Sequence, residues 1–271
     1  MLVSIITVNY NNAVGLEATI KSVVDQTWQD FEFIIIDGGS TDESKKLIAK
    51  YADKLAYWCS EKDDGIYHAM NKGIKAAKGE YLYFLNSGDL IYAPSTLKSV
   101  SEKLNTTDIV YGNLLIVEPD KQWVKFYNEK LSFEYFVRDT LPHQGSFIKR
   151  ALFTQIEFYD EGLKIVADWK FFLLAVIRFK VSVIYINEVI CRYDRTGISA
   201  NPTYFQLQDS EKQVVLTNEF SSYYEGVIEL HELRLRKEFI ESIERDFFIQ
   251  KYLSVKMKWK HLKKKLRIDK K

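Results

Sequence analysis

The sequence predicts an α/β protein, with a mainly parallel sheet flanked by helices over residues 1–204 and a helical extension over residues 205–271. Three observations lead there. Short β-branched runs alternate with segments of helical periodicity through the first hundred residues. Each run ends in polar residues, as the carboxyl edge of a parallel sheet does when it binds a ligand. From Phe205 onward proline is absent and Gly226 is the sole glycine, so that stretch reads as helix.

In order, Val3 to Val8 is a first strand, and Leu16, Ile20, Val23 and Val24 mark a first helix. Phe31 to Ile36 is a second strand ending at Asp37. Gly38-Gly39 turns the chain, and Ser40-Thr41-Asp42-Glu43 offers a capping box for a helix through Ala49. Leu55 to Cys59 is a third strand, Ile66 to Ala77 a helix, and Glu80 to Leu85 a fourth strand ending in Asn86-Ser87-Gly88-Asp89. Strand after helix after strand, with strands apolar on both faces, predicts parallel pairing. Beyond residue 100, strands are expected at Ile109 to Tyr111, Leu114 to Val117, Ser146 to Lys149 and Val181 to Ile186. Helices are expected at Tyr135 to Arg138 and Trp169 to Arg178.

Composition narrows the function classes. Hydrophobic residues at 46% and charged residues at 28% fit a packed core. Two cysteines, Cys59 and Cys191, make neither a disulfide framework nor a cysteine zinc site, and both are expected reduced in a cytoplasmic protein. MLVSIITVNY reads as a strand rather than a secretory leader, and no run approaches the ~20 apolar residues of a spanning helix. The net charge of +1 hides an asymmetry: Lys256 to Lys271 holds eight Lys, one Arg and one Asp, a local +8 that leaves the other 255 residues at −7. Tyr252, Val255, Trp259, Leu262 and Leu266 step by three and four among those lysines, which is a basic amphipathic helix suited to the cytoplasmic face of an anionic membrane. Nucleic acid is the competing anion, but the acidic body and the lack of any nucleic-acid motif argue against it. The first turn reads Asn9-Tyr10-Asn11-Asn12-Ala13-Val14-Gly15, without the glycines of a dinucleotide or Walker loop, so an NAD-dependent oxidoreductase or a P-loop NTPase is not expected.

Several segments together resemble family 2 glycosyltransferases: Val3 to Asn11, Ser22-Val23-Val24-Asp25-Gln26-Thr27, Ile36-Asp37-Gly38-Gly39-Ser40-Thr41-Asp42 and Ala76-Ala77-Lys78-Gly79-Glu80-Tyr81. Glu61 to Tyr67, Asn71 to Ile74 and Phe84 to Asp89 are similar to the branch containing colanic-acid, capsule and O-antigen transferases. The match is dense over 1–95, thinner over 140–200 and absent over 205–271. The resemblance implies a GT-A fold with a Rossmann-like nucleotide-binding half. It also implies direct inverting displacement from a nucleotide-sugar, commonly a UDP-sugar, onto a glycan or lipid-linked acceptor in surface-polysaccharide synthesis.

It further implies site residues. Asp37 matches the carboxylate that holds the nucleobase, with Thr7, Asn9 and Tyr10 at the neighbouring strand end; Asp37 read alone caps a turn. Asp63 and Asn71-Lys72 fit donor binding, Lys72 as a point charge for phosphate, or else a solvated helix surface. Asn86-Ser87-Gly88-Asp89 departs from the family's Asp-x-Asp: Asn86 and Gly88 replace the usual carboxylates, and Asp89 remains as the metal ligand. One Asp with the diphosphate can still hold Mn²⁺ or Mg²⁺; the alternative is a metal-independent enzyme using Lys72, Arg192 or Arg195. Asp168 matches the family's catalytic base, although the Glu that usually precedes it is Ala167, and by its position it also reads as a helix N-cap. His143, in Pro142-His143-Gln144-Gly145, and Arg192 are candidates for acceptor or diphosphate contact, and Cys191 to Ser199 resembles a segment that closes over donor. The Gln-x-x-Arg-Trp of processive synthases is missing, so single additions are expected. The rival reading is a non-catalytic nucleotide-sugar binder of the same fold. The sequence leaves the oligomeric state open.

Overall fold

The computed structural model describes residues 1–195, 202–245 and 247–265. The chain divides into two units, Met1–Val215 and Leu216–Lys271.

The first unit is built on one nine-stranded sheet. Its opening half alternates β1 (Val3–Asn9), α1 (Ala13–Val24), β2 (Phe31–Asp37), α2 (Ser44–Lys50), β3 (Tyr57–Ser60), α3 (Ile66–Ala76) and β4 (Tyr81–Phe84). The four strands lie parallel in the order β3-β2-β1-β4. Every residue of β1 and β4 is buried, which explains their unbroken apolar runs. The register sets Asn9 beside Asp37 and Asp37 beside Ser60, so three polar residues meet at one carboxyl edge. Thr7, fully buried, donates its hydroxyl to the Leu85 carbonyl at 2.7 Å, fastening the end of β1 to the chain leaving β4.

The second half contains β5 (Leu90–Ile91), α4 (Thr96–Ser101), β6 (Ile109–Glu118), β7 (Lys121–Lys125), α5 (Phe133–Arg138), β8 (Ser146–Lys149), α6 (Leu152–Gln155), α7 (Ala167–Leu173) and β9 (Val183–Asp194). Strand β8 runs antiparallel between β4 and β6 and joins the two halves. Strand β9 pairs parallel with β6, while β5 and β7 pair antiparallel with β9 and β6. The sheet is therefore parallel in its first half and mixed in its second.

Several sequence expectations change here. The two strands expected at 109–111 and 114–117 are one strand with a register shift at Gly112-Asn113. A Cβ on Gly112 would stand 2.7 Å from the Glu188 carbonyl, so the bulge requires glycine. Strand β9 runs eight residues past the expected Ile186, because its second half pairs with the bulged end of β6. Ser40 to Glu43 is not a capping box: the Ser40 hydroxyl turns to Asp37, and Asp42 accepts the amides of Ser44 and Ala13. Asp168 is not the N-cap of α7 either; Val166 holds that position and Asp168 sits in the first turn.

The core behind α7 is aromatic. Phe171 stacks on Phe153 with centroids 4.4 Å apart, and Tyr159 meets both rings edge-on. After Leu173 the helix loosens into a π-helical turn, Leu174–Arg178. From residue 205 the described residues are helical, as expected: α8 (Phe205–Arg245), with a break in helical geometry at Phe220, and α9 (Phe247–Lys265). Among the described residues no helix is long and apolar enough to cross a membrane.

Candidate active site

The carboxyl ends of β1, β2 and β3 build a first cluster. Asp37 is 0% exposed, and its two oxygens accept from Asn9 Nδ2, the Ser40 hydroxyl and amide, and the Ser60 hydroxyl. Burial pushes its carboxyl upward, but these donors outweigh burial and hold it below the ordinary carboxylate value. With four bonds accepted, Asp37 has its lone pairs engaged and acts as the organiser of this edge. Asn9 is left with a buried Oδ1 that has no partner among the described residues. Its amide orientation follows from Asp37, since only the NH₂ can face a carboxylate. Tyr10 stands 69% exposed just beyond. The Tyr10 ring is thus the open group here and Asn9 Oδ1 the unpartnered one, while Thr7, expected to meet donor, is sealed inside the sheet.

Two further expectations for donor binding meet other uses of the side chains. Asn71 is 3% exposed; its amide takes the Tyr159 amide and donates to the Tyr159 carbonyl and Glu161, stapling α3 to the 159–161 loop. Lys72 Nζ lies 2.7 Å from both Asp63 and Glu61. Burial lowers its pKa, but those two carboxylates outweigh burial and raise it, so its charge is already matched inside the protein rather than offered to phosphate.

The metal-ligand expectation for Asp89 is corrected by its placement. Gly88 adopts φ +105°, a conformation that a side chain rarely tolerates, and the turn sends Asp89 inward. There Asp89 is 4% exposed and accepts the Asp194 amide at 3.0 Å. Burial drives its carboxyl well above the ordinary value. Among the described residues no three His, Cys, Asp or Glu side chains converge on a point. A divalent cation here would have to be held by at most one side-chain carboxylate together with the donor's diphosphate.

A second cluster gathers residues far apart in sequence. His143 Nδ1 lies 2.9 Å from Asp168 Oδ2, and Asn86 Nδ2 lies 3.2 Å from His143 Nε2. The Tyr67 hydroxyl is 2.8 Å from Asp168 Oδ1 and 2.6 Å from the Ile165 carbonyl, sharing one proton between them. The result is a hydrogen-bonded chain Asn86–His143–Asp168–Tyr67, with the His143 and Asp168 side chains each 14% exposed. Asn86 Oδ1 is buried and has no partner among the described residues. Burial pushes the Asp168 carboxyl up, yet the His143 and Tyr67 bonds outweigh it and keep Asp168 ionised below the usual range. Burial and the Asp168 charge together raise the Tyr67 phenol, which stays protonated as a donor.

The linkage signs differ along the site. Asp37 and Asp168, depressed in the fold, stabilise it above about pH 4, and that contribution is lost as the pH falls through their lowered values. Asp89, raised, contributes fully below about pH 4 and loses that contribution as the pH rises through its raised value.

Sequence reasoning singled out Asn86, His143 and Asp168 but did not join them. It missed Ser40 and Ser60 as donors to Asp37, and it missed Lys212, stacked 5.4 Å over the Trp169 ring beside Asp168. A lysine on a helix face carries no sequence signal for that placement. Ser87 donates its hydroxyl to the Asn12 carbonyl and closes the loop above β4. Arg192 is exposed on β9 opposite Leu90, next to Asp89. Of the expected donor-closing segment, Cys191 to Arg195 lie at the end of β9 and just beyond it, and residues 196–199 lie outside the described residues.

Comparison with known proteins identifies the family. The glycosyl transferase family 2 model matches residues 4–161. An uncharacterized glycosyltransferase of Mycobacterium tuberculosis is 34% identical over 207 residues, covering 73% of this chain and 77% of that protein. The PGL/p-HBAD biosynthesis glycosyltransferase of Mycobacterium bovis is 31% identical over 205 residues, covering 73% and 78%. Among solved structures, S. aureus TarS 1-349 in complex with UDP-GlcNAc is similar with TM-score 0.60 and 19% identity, over 72% of this chain and 58% of that one. The mannosyltransferase PcManGT of Pyrobaculum calidifontis, in complex with GDP-Man and Mn²⁺, is similar with TM-score 0.54 and 19% identity, over 70% and 56%. At those identities the solved structures speak for a shared GT-A-like fold. The family model covers more than half of this sequence and the mycobacterial relatives nearly three quarters of it, so the chain belongs to glycosyl transferase family 2 and is a glycosyltransferase.

Proposed function

We propose that this chain transfers a sugar, with inversion, from a nucleotide-sugar (a UDP-sugar first) to a hydroxyl of a glycan or lipid-linked acceptor in cell-surface polysaccharide synthesis. The observation that carries this reading is the hydrogen-bonded chain from Asn86 through His143 to Asp168 at the edge where β1, β2 and β4 end. Direct displacement needs a group to draw off the acceptor's proton, and an ionised carboxylate coupled to an imidazole supplies one. The unpartnered oxygens of Asn9 and Asn86 suit the N–H and O–H groups of a nucleobase and a sugar, because a buried acceptor without a partner costs stability until one arrives. The donor class is supported by the UDP-GlcNAc and GDP-Man complexes of TarS and PcManGT, and the surface-glycan role by the name of the PGL/p-HBAD relative.

Negative charge on the departing diphosphate requires a cation. Arg192, exposed on β9 opposite Leu90, is the cation we assign to that role. The test is UDP release from a panel of UDP-sugars with membrane lipid extract as acceptor. Release dependent on acceptor is expected for one donor, and it should survive EDTA within about threefold. A larger loss that Mn²⁺ restores would return a metal to the site. The inward Asp89 favours a second reading, a non-catalytic nucleotide-sugar binder. Such a binder would be stabilised against unfolding by UDP and would release none.

The acceptor reading extends to α9. Tyr252, Val255, Trp259 and Leu262 are exposed along it among lysines, and residues 266–271, including Leu266, lie outside the described residues. We infer that this helix meets anionic lipid at the cytoplasmic face, each basic residue adding about 1 kcal/mol near the surface. Deleting Lys256 to Lys271 is expected to reduce co-sedimentation with phosphatidylglycerol vesicles; equal sedimentation of the shortened chain removes the membrane reading.

A further inference from the structure

We propose that Glu211, on α8, is a positioning residue for the transfer: its carboxylate clamps two backbone amides that lead into α7 and so sets where Asp168 meets the acceptor hydroxyl. The inference rests on the transferase reading with Asp168 as the base. It adds a residue that lies beyond the stretch matched by the family model, residues 4–161.

The loop before α7 is held from outside. Residues 163–166 belong to neither helix nor strand, and Val166, at the N-cap of α7, has no side-chain oxygen to cap with. The amides of Lys164 and Ile165 donate instead to the two oxygens of Glu211, to Oε1 at 2.8 Å and to Oε2 at 3.1 Å. Bonds to an ionised acceptor are roughly twice as strong as neutral ones. Ile165 is thereby gripped at both backbone ends, because its carbonyl accepts the Tyr67 hydroxyl at 2.6 Å. That same hydroxyl lies 2.8 Å from Asp168 Oδ1, so a displacement at residue 165 reaches the carboxylate through one shared donor.

The next residue of α8 holds the other side of Asp168. Lys212 Nζ stands 5.4 Å above the Trp169 ring, whose Nε1 donates to the Phe136 carbonyl at 2.7 Å. Successive residues on a helix point about 100° apart, so one turn of α8 addresses both the loop and the ring. One residue further along α7, Lys170 reaches Glu157 at 3.1 Å and Asp160 at 2.8 Å. Asp168 therefore stands between a backbone clamped by Glu211 and a ring covered by Lys212. All of these residues belong to the first unit, Met1–Val215.

A base acts only within hydrogen-bond reach of the proton it takes, and a misplacement of about 1 Å costs on the order of 10² in rate. Release of the two amides has a second consequence, for charge. The groups facing Asp168 are His143 from the turn before β8, Tyr67 from α3, Tyr159 from the loop before α7 and Lys212 from α8. Burial raises the Asp168 carboxyl, and the His143 and Tyr67 bonds outweigh it. A loosened loop weakens the Tyr67 bond and lets burial lift the carboxyl. Transfer needs the ionised form, so the acid limb of the rate profile moves to higher pH.

The test compares Glu211→Gln and Glu211→Ala with wild type, as full chains, in acceptor-dependent UDP release. Glutamine keeps one acceptor oxygen for the two amides, and alanine keeps none. The expected loss in kcat is about tenfold for Glu211→Gln and about 10²-fold for Glu211→Ala, with KM for donor within about twofold. In both variants the acid limb of kcat is expected at higher pH than in wild type. Asp209→Asn, an exposed carboxylate earlier on the same helix, is expected to match wild type in rate and in pH profile. A purely structural Glu211 would lower the urea midpoint while leaving kcat of the folded protein and its pH profile where they are. Turnover of Glu211→Ala within about threefold of wild type overturns the proposal and leaves the transferase reading intact. So does an unmoved acid limb in both variants. If Glu211→Ala does not fold, Glu211→Gln decides by the same two readouts. Absence of turnover in wild type with every donor fails the transferase reading itself, and the proposal with it.

Discussion

Asp168→Asn is expected to lower kcat by about 10³- to 10⁴-fold while leaving UDP affinity within about twofold. The substitution preserves shape and removes charge. Without the anion, the carboxylate that would accept the acceptor's proton is gone, and the 2.9 Å contact to His143 Nδ1 loses its charge. Tyr67 keeps an acceptor in the amide oxygen and in the Ile165 carbonyl, so little local rearrangement follows. The measurements are a single-turnover rate of UDP release and a calorimetric titration with UDP. Unchanged turnover would remove Asp168 from the reaction. Loss of both rate and UDP affinity would mean that Asp168 shapes the donor site instead.

Phe171→Ala is expected to cost about 3–5 kcal/mol of folding stability, the usual toll for deleting a fully buried aromatic ring. Phe171 is 0% exposed, stacked on Phe153 and edge-on to Tyr159 at 5.7 Å. Those rings pack behind α7, three residues along from Asp168, and their rigidity at native packing density leaves little room to collapse into the gap. Phe179→Ala is the control. That ring is 47% exposed, and its loss should fall within about 0.5 kcal/mol. Urea unfolding monitored by fluorescence checks both, read as a shift in midpoint at unchanged slope. A Phe171→Ala midpoint equal to wild type would show that the aromatic cluster does not support this half of the sheet.

The first half of the fold was legible because burial on both faces leaves a plain signature. Val3 to Val8, Phe31 to Ile36 and the Ile66 helix come within a residue or two of where periodicity places them. Elements without enough length to show a period were not legible: β5 has two residues, α6 has four, and β7 is an exposed edge with no buried face to mark. The site was legible by residue and not by partner. Tyr67 and Asp168 meet across 101 positions, and Asn71 meets Tyr159 across 88, distances over which a single sequence carries no pairing information. Motif order brought Asn86, His143 and Asp168 to notice, but their mutual hydrogen bonds depend on β8 lying between β4 and β6. Asp89 shows the opposite failure. Its residue type suggested a ligand, whereas the positive φ of Gly88 decided where it pointed.

Strand β8 begins directly after the turn that carries His143, and it is hydrogen-bonded to β4 on one side and β6 on the other. Asn9 and Asp37 stand at the ends of strands on the far side of that seam. No hinge can open between the two clusters without shearing a row of backbone hydrogen bonds. Selectivity in this scaffold is therefore a property of the side chains hung on a fixed frame. Changing the sugar or the acceptor would be a matter of re-cutting a key at a few loop positions while the lock body keeps its shape.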